Sequence, residues 1–293
     1  MNTPFVKGPI QMLFSALCFA VMAYFAKLAS ANIPGPEVVF FRFLLGVVVA
    51  LILAAIGRVD LRATRRELLV ARGVFGGTAI LLYFIAMDRG SMTNSRVLND
   101  TYPIFVTMIA GFFLKERVSL LTWLCLAVAW IGVGLLIHPN LHHVYWPDIL
   151  ALLSGILSAL AVLVVRQLRQ NGESAWTVFF YLSLFGLLVS FFFAIPVWKW
   201  PDGRAGFFLT ATALTGLIAQ VTMTSAYKYC SASVGSILSM TTMVFAAVFG
   251  MAWLGEKLSV GEAAGALLIA LGGAAMAWLS NKEPETAVSQ ISA

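Results

Sequence analysis

The hexapeptide LKERVS at residues 114–119 returns 140 residues further along the chain as LGEKLS at residues 254–259. Each copy lies between two long apolar segments. The flanking sequence matches at the same offset in four further pairs: Ala86 with Ala226, Ser91 with Ser231, Val97 with Ile237, and Phe105 with Phe245. Because the offset is close to half of the 293 residues, the repeat predicts two similar halves. Two related halves in a membrane are typical of transporters, in which they rock about a central site.

The composition predicts a protein embedded in a lipid bilayer. The chain is 60% hydrophobic and only 11% charged, with a mean hydropathy of +0.91, whereas soluble domains carry about 25% charged residues. Apolar segments long enough to cross a bilayer, about 20 residues each, recur at ten places, centred roughly on residues 19, 46, 78, 103, 128, 157, 185, 216, 243 and 269. We therefore predict an all-α integral membrane protein with ten transmembrane helices.

The distribution of positive charge predicts the orientation in the membrane. The net charge is +6, and four arginines share one connector: Arg58, Arg62, Arg65 and Arg66. Because lysine and arginine accumulate in cytoplasmic loops, this connector is predicted to be cytoplasmic. Ten spans then place both termini in the cytoplasm, and five spans in each half invert the second half relative to the first. The same distribution argues against nucleic acid as a partner. We expect the inner membrane of a bacterium as the location, with membrane lipids around the helices.

The repeat also predicts the boundaries of the two halves. The first five-helix repeat covers residues 1–140, and the second covers residues 146–281. Residues 282–293 form a polar tail, which we expect to be disordered in the cytoplasm.

Three short sequences carry a resemblance to a known family. They are the repeated turn at residues 114–119 and 254–259, the FRF of residues 41–43 and the TYPIF of residues 101–105. Through them the chain resembles the EamA-type members of the drug/metabolite transporter superfamily. The second half departs from the pattern, since TTM at residues 241–243 replaces the TYP of residues 101–103.

The resemblance implies a fold and a class of activity. The fold is ten helices in two inverted five-helix repeats, with a central cavity lined mainly by the first, third, fourth, sixth, eighth and ninth helices. Family members move amino acids, vitamins, purine compounds, sugars conjugated to nucleotides and drugs, and many bacterial members export their substrates.

Arg96 and Asp100 are the most informative charged residues, because both lie within the fourth apolar segment. Their spacing of four residues places them on one face of a helix. Charges inside a membrane are costly and tend to face a cavity and pair with each other. The pair is therefore either a site for substrate or protons, with Asp100 as the titrating group, or an ion pair that only holds the helix to a neighbour.

Pro103 predicts a kink or break in the same segment. Its ring crowds the carbonyl of Asn99, and it has no amide hydrogen to donate to that carbonyl. A carbonyl freed at membrane depth is tolerated beside polar groups or a water-filled cavity. We expect a polar pocket here, although a simple packing kink is an open alternative.

Further polar and aromatic residues are candidates for the substrate site. Serine and threonine also bond to their own helix, and tyrosine also marks membrane interfaces, so each has a structural alternative. The remaining candidates are Tyr24, Tyr83, Tyr102, Gln220, Ser236, Ser239 and Thr242. We interpret Arg42 as a structural arginine and Arg72 as an anchor at the cytoplasmic interface.

No catalytic or metal-binding pattern is apparent in the sequence. His138, His142 and His143 cluster near one connector, but a zinc site needs further ligands in defined geometry. We expect no metal and no cofactor. The sequence shows no nucleophile with a base, which a membrane-embedded lipid-modifying enzyme needs. A channel agrees less well with inverted halves. Both functions remain alternatives.

The favoured function is a secondary transporter for a small-molecule substrate. An arginine beside an aspartate suits a zwitterion such as an amino acid, and the nearby aromatic residues favour amino acids or aromatic metabolites. Protons are candidate coupling ions, and a monomer and a homodimer are both open.

Overall fold

The computed structural model of this chain describes residues 4–90, 92–116, 118–137, 145–254 and 259–282. Within these ranges the chain forms twelve α-helices and no β-strand. In chain order they are α1 Pro4–Ala29, α2 Gly35–Ala55, α3 Arg66–Arg89, α4 Met92–Asn99, α5 Tyr102–Phe113, α6 Leu120–Ile137, α7 Trp146–Gln170, α8 Ala175–Ala194, α9 Gly203–Ala226, α10 Ala232–Ser239, α11 Thr241–Leu254 and α12 Val260–Lys282. A short 3₁₀ turn, Ile195–Val197, follows α8.

Some of the sequence features above lie outside the described residues. They are Ser91, Arg117, the three histidines, most of the second hexapeptide (residues 255–258) and the tail after Lys282.

Eight stretches of the described chain are long and apolar enough to cross a membrane. Six of them lie within α1, α2, α3, α7, α9 and α12. The seventh consists of α8 and its 3₁₀ turn, and the eighth runs through α10 and α11. The apolar helix Leu120–Leu136 is shorter, and α4 and α5 are shorter still. The all-α membrane class is thus confirmed, while the number of ten spans stays a prediction.

Side-chain caps begin several helices. Ser174 Oγ accepts a hydrogen bond from the amide of Trp176 at 3.3 Å at the start of α8, and Asp202 Oδ1 accepts one from Ala205 at 2.6 Å at the start of α9. These oxygens satisfy amides that have no partner within the helix. The short polar sequences between apolar segments therefore end one helix and begin the next.

Helices from opposite ends of the sequence pack against each other. α1 runs along α9, and α3 runs along α7, so the first helix of each half lies against the third helix of the other half. The corresponding helices α2 and α8 also pack together, as do α6 and α12. The two halves of the sequence are therefore interlocked rather than side by side.

Glycines allow α6 and α12 to approach closely. A Cβ atom at Gly132 would lie 2.6 Å from the carbonyl oxygen of Gly265, which is closer than a carbon and an oxygen can come. Gly272 also packs against α6, where its Cβ would lie 3.0 Å from the carbonyl oxygen of Cys125. Gly134 and Gly111 make no such contact, since a Cβ would meet nothing within 4 Å at Gly134 and only one oxygen, at 3.8 Å, at Gly111.

Two helical segments are interrupted at corresponding positions. The first interruption lies at Asp100 and Thr101, between α4 and α5, and Pro103 is in the first turn of α5. The second lies at Met240, between α10 and α11, although no proline is present there. The predicted break in the first half is thus present. The second half is interrupted at the corresponding position, although its sequence has no proline there to indicate it.

Hydroxyl groups accompany both interruptions. Thr101 Oγ1 donates to the carbonyl of Leu98 at 2.7 Å. In the second half, Ser239 Oγ donates to the carbonyl of Ser236, and Thr241 Oγ1 donates to the carbonyl of Leu238, both at 2.7 Å. Such bonds offer the backbone an alternative to helical hydrogen bonds, and Thr101 and Thr241 make the same bond at corresponding positions of the two halves.

Candidate functional site

A cavity of about 220 Å³ lies between the helices beside both interruptions. Its walls come from α1, α2, α3, α4, α7 and α9 and from the residues around the two interruptions. The volume is many times the roughly 10–15 Å³ that one water molecule needs, so the cavity has room for a small molecule. Four charged side chains line it: Arg42, Arg72, Arg96 and Asp100.

Arg96 and Asp100 form the ion pair that their spacing predicts. Arg96 Nε donates to Asp100 Oδ2 at 2.5 Å, and the two side chains are 30% and 13% exposed. Arg96 lies in the last turn of α4, and Asp100 follows that helix directly. Because both side chains line the cavity, the pair is placed to meet a solute.

The backbone around Asp100 is held against α7. A Cβ atom at Gly155 of α7 would lie 2.9 Å from the carbonyl oxygens of both Leu98 and Asn99, so only glycine fits beneath the interruption. The side-chain amide of Asn99 also donates to the hydroxyl of Ser154. These contacts hold the end of α4, and with it the ion pair, at a defined place on the cavity wall.

One hydrogen bond joins the two interruptions across the chain. The hydroxyl groups of Tyr102, at the start of α5, and Ser239, at the end of α10, are hydrogen-bonded to each other. Both residues line the cavity. The wall at this point is therefore polar and built from both halves.

The structure brings most of the predicted site residues to this one cavity. Those that line it are Tyr83, Arg96, Asn99, Asp100, Tyr102, Gln220, Ser239 and Thr242. Tyr24 does not line it and packs edge-on against Phe25, with the ring centroids 5.5 Å apart. Ser236 is fully buried and donates to the carbonyl of Ser233 at 2.9 Å, which is the structural alternative for a helical serine.

Two arginines that the sequence does not place among the site candidates, Arg42 and Arg72, line the cavity. The interpretation of Arg72 as an interfacial anchor is therefore wrong, whereas the structural interpretation of Arg42 stays a prediction. Arg72 is only 5% exposed, and its Nε has no hydrogen-bond partner among the described residues. Its position offered a signal, because it lies six residues after the start of α3 at Arg66, or about 9 Å along the helix. An anchor is expected nearer to the end of a helix.

Comparison with known sequences assigns the family. Residues 6–138 match the EamA-like transporter family, and residues 145–278 match it a second time. The chain belongs to the EamA-like transporter family. The resemblance predicted from the short motifs is thereby confirmed.

Named relatives of this EamA-like transporter carry small molecules. It is 28% identical over 272 residues to the pseudopaline exporter CntI of Pseudomonas aeruginosa, covering 90% of this chain and 93% of the exporter. It is 22% identical over 245 residues to the S-adenosylmethionine uptake transporter of Rickettsia prowazekii, covering 80% of this chain and 83% of that protein. It is 26% identical over 240 residues to the riboflavin transporter of Vibrio cholerae, covering 78% of each chain.

A solved crystal structure supports the fold. It superposes with a TM-score of 0.78 at 17% sequence identity, covering 94% of this chain and 98% of that one. The family, the relatives and the apolar helices together identify a multi-pass membrane transporter, and they favour a transporter over an enzyme.

Among the described residues, no group of three or more histidine, cysteine, aspartate or glutamate side chains is placed to hold a metal ion. The three histidines of the sequence lie outside these residues.

Proposed function

We propose that this EamA-like transporter is a secondary transporter that exports a small polar metabolite, an amino acid or a compound of similar polarity, across a bacterial inner membrane. The observation that carries the proposal is the cavity with the Arg96–Asp100 ion pair in its wall, beside two interrupted helices. Interrupted helices beside a cavity are typical of substrate sites in secondary transporters. Export is favoured by the likeness to an exporter that aligns over 90% of this chain.

The proposed topology has ten crossings in two inverted five-helix halves, residues 1–140 and 146–281. In this arrangement α4 and α5 together make one crossing, as do α10 and α11. α6, with 18 residues, is about 27 Å long, close to the roughly 30 Å of a bilayer core. The arginine-rich connector of residues 58–66 favours cytoplasmic termini.

The proposed mechanism is alternating access by movement of one half against the other. Since α1 packs on α9 and α3 packs on α7, this movement shifts helices along the contacts between the halves. The cavity is then open to each side in turn. Protons are the proposed coupling ion, with Asp100 as the group that exchanges them.

The test is exchange across a membrane by the purified full chain. The protein is reconstituted into liposomes loaded with one of a panel of amino acids, nucleosides, vitamins or organic acids, and entry of the same labelled compound is measured. Saturable counterflow that exceeds the flux of empty liposomes supports a carrier. A flux that rises without saturation indicates a channel, and conversion of the compound indicates an enzyme, so either result contradicts the proposal.

A further inference from the structure

The charges of the four charged side chains in the cavity do not sum to zero. Arg42, Arg72 and Arg96 bring three positive charges, and Asp100 brings one negative charge. Arg96 and Asp100 are paired at 2.5 Å. The excess of two positive charges therefore rests on Arg42 and Arg72.

Neither of these two arginines has a carboxylate partner among the described residues. Asp100 is paired with Arg96, and Glu116 is paired with Arg166. Arg42 lies near the ring of Phe43, 5.8 Å from its centroid, and near Gly216 of α9. Arg72 is nearly fully buried, with its guanidinium beside Gly76 and its Nε unpaired.

Holding two arginines without carboxylate partners in the membrane-spanning part of a protein costs free energy. A charge at membrane depth is normally paired or placed in a water-filled cavity, and it marks a functional site. A guanidinium group also presents its donors in a fork that fits the two oxygens of a carboxylate or phosphate. An anion in the cavity would supply the charge and the acceptors that the protein itself does not.

We infer that Arg42 and Arg72 form an oxyanion site in the central cavity and that the cargo is a small metabolite with about two negative charges, carried by carboxylate or phosphate groups. That the ligand is transported rests on the proposed function, whereas its binding to Arg42 and Arg72 does not. The inference narrows the proposed amino-acid-like substrate to acidic compounds. Arg96 and Asp100 remain available for a zwitterionic part of the same molecule.

The first experiment measures binding to the purified full chain at 0.15 M salt. The dianion glutarate is compared with its neutral analogue glutaramide, glycerol 3-phosphate with glycerol, and leucine serves as a plain zwitterion. A ligand that binds the folded state raises its melting temperature. We expect glutarate or glycerol 3-phosphate to raise it and the neutral analogues to leave it unchanged, and the difference between the two dianions tells carboxylate from phosphate.

Substitutions of Arg42 and Arg72 then test whether these two side chains bind the dianion. Arg42→Gln and Arg72→Gln should each weaken binding of the dianion roughly tenfold to a hundredfold, the range for losing a hydrogen bond to a charged group. Arg72→Lys, which keeps the charge but not the fork, should bind between wild type and Arg72→Gln. The matched control is Arg58→Gln, which removes an exposed positive charge outside the cavity and should bind like wild type.

The melting temperature without ligand separates binding from structure. If Arg72 serves as an oxyanion ligand, Arg72→Gln removes an uncompensated buried charge and should melt at the wild-type temperature or above. If it only holds α3 in place, the variant should melt lower. A lower melting temperature with unchanged binding per folded molecule would overturn the assignment of Arg72.

The remaining outcomes separate the inference from the proposed function. Binding of leucine alone, or of no dianion, overturns the oxyanion site, and counterflow of leucine would leave the transporter proposal intact. Dianion binding that depends on both arginines, without any counterflow of the same dianion, supports the site and contradicts the transport proposal.

Discussion

Asp100 is the one carboxylate among the charged side chains of the cavity in the described part of the chain. Its position beside Arg96 followed from local geometry, since residues four apart on a helix are neighbours. Its role did not follow, because an ion pair can serve either structure or function. Substitutions that separate charge from shape can decide between the two.

The variant Asp100→Asn should remain folded but lose transport by on the order of tenfold or more. It keeps the shape of the side chain but leaves three cations in the cavity without a carboxylate, and it removes the group proposed to exchange protons. Counterflow and pH-dependent transport by reconstituted protein provide the measurement. Transport at the wild-type rate with unchanged pH dependence would exclude Asp100 as the proton site.

A double substitution supplies the control. Arg96→Gln with Asp100→Asn removes both charges of the pair and avoids an unpaired partner. If the pair is only structural, the double variant should recover the transport that Asp100→Asn loses. If the pair acts on substrate or protons, transport should stay low.

At the scale of single elements, the two interruptions show that different residues can break a helix in the same place. Pro103 accompanies the first, and hydroxyl-to-backbone hydrogen bonds accompany both. Met243 corresponds to Pro103 at the offset of 140 residues, yet its helix is still interrupted. The second half thus has this interruption without a proline, and we expect the first half to keep its interruption without one as well.

The variant Pro103→Ala should accordingly keep the interruption and most of its transport, with a loss of stability of about 1 kcal/mol or less. Thr101 Oγ1 and the contact of the Leu98 and Asn99 carbonyls with Gly155 remain to hold the turn. Thermal unfolding and counterflow measure the two effects. A loss of transport as large as that of Asp100→Asn would contradict this explanation.

The contact between α6 and α12 gives a second prediction for an element. Gly132→Ala should destabilise the protein by about 1–3 kcal/mol, the usual cost of overpacking, because its Cβ would press on the backbone of Gly265. If these helices shift against each other during transport, the rate should fall as well. Thermal unfolding and counterflow are again the measurements.

Gly134→Ala is the matched control on the same helix. A Cβ there meets nothing within 4 Å, so the variant should be neutral or more stable, by up to about 1 kcal/mol from helix propensity. Equal destabilisation by the two variants would mean that close packing is not the cause.

At the scale of the whole molecule, the first copy of the repeated turn, residues 114–119, connects the two halves. Glu116 accepts a hydrogen bond from Arg166 Nε of α7 at 2.9 Å and another from the amide of Ala232, at the start of α10, at 3.0 Å. Arg166 also donates to the carbonyl of Tyr227 at 2.7 Å. Glu116 of the first half thus holds the ends of two segments of the second half.

The variant Glu116→Gln should lose about 1–3 kcal/mol of stability, because a partly buried arginine loses its ionic partner. The matched control is Glu67→Gln, which removes an exposed carboxylate and should cost about 0.5 kcal/mol or less. Thermal unfolding of the two variants in the same detergent gives the comparison. Similar melting temperatures for both would show that the contact does not hold the halves together.

The sequence by itself determined the membrane class, the positions of most helices and the family. Lipid cannot satisfy backbone groups, so each crossing requires a long apolar helix, and that requirement is visible in composition and hydropathy alone. The Arg96–Asp100 pair was equally predictable, because its geometry depends on one turn of one helix. So was the first interruption, at Asp100 and Thr101, because proline acts on its own backbone.

Only the tertiary structure decided which side chains meet in the cavity. Tyr102 and Ser239 are 137 residues apart in sequence, and Arg166 and Glu116 are 50 apart, so helical periodicity contains no information about either contact. Helical periodicity also contains no information about the surroundings of Arg42 and Arg72, which from the sequence resemble a structural and an interfacial arginine. Their direction depends on how α2 and α3 pack against distant helices, and that packing turns both towards the cavity.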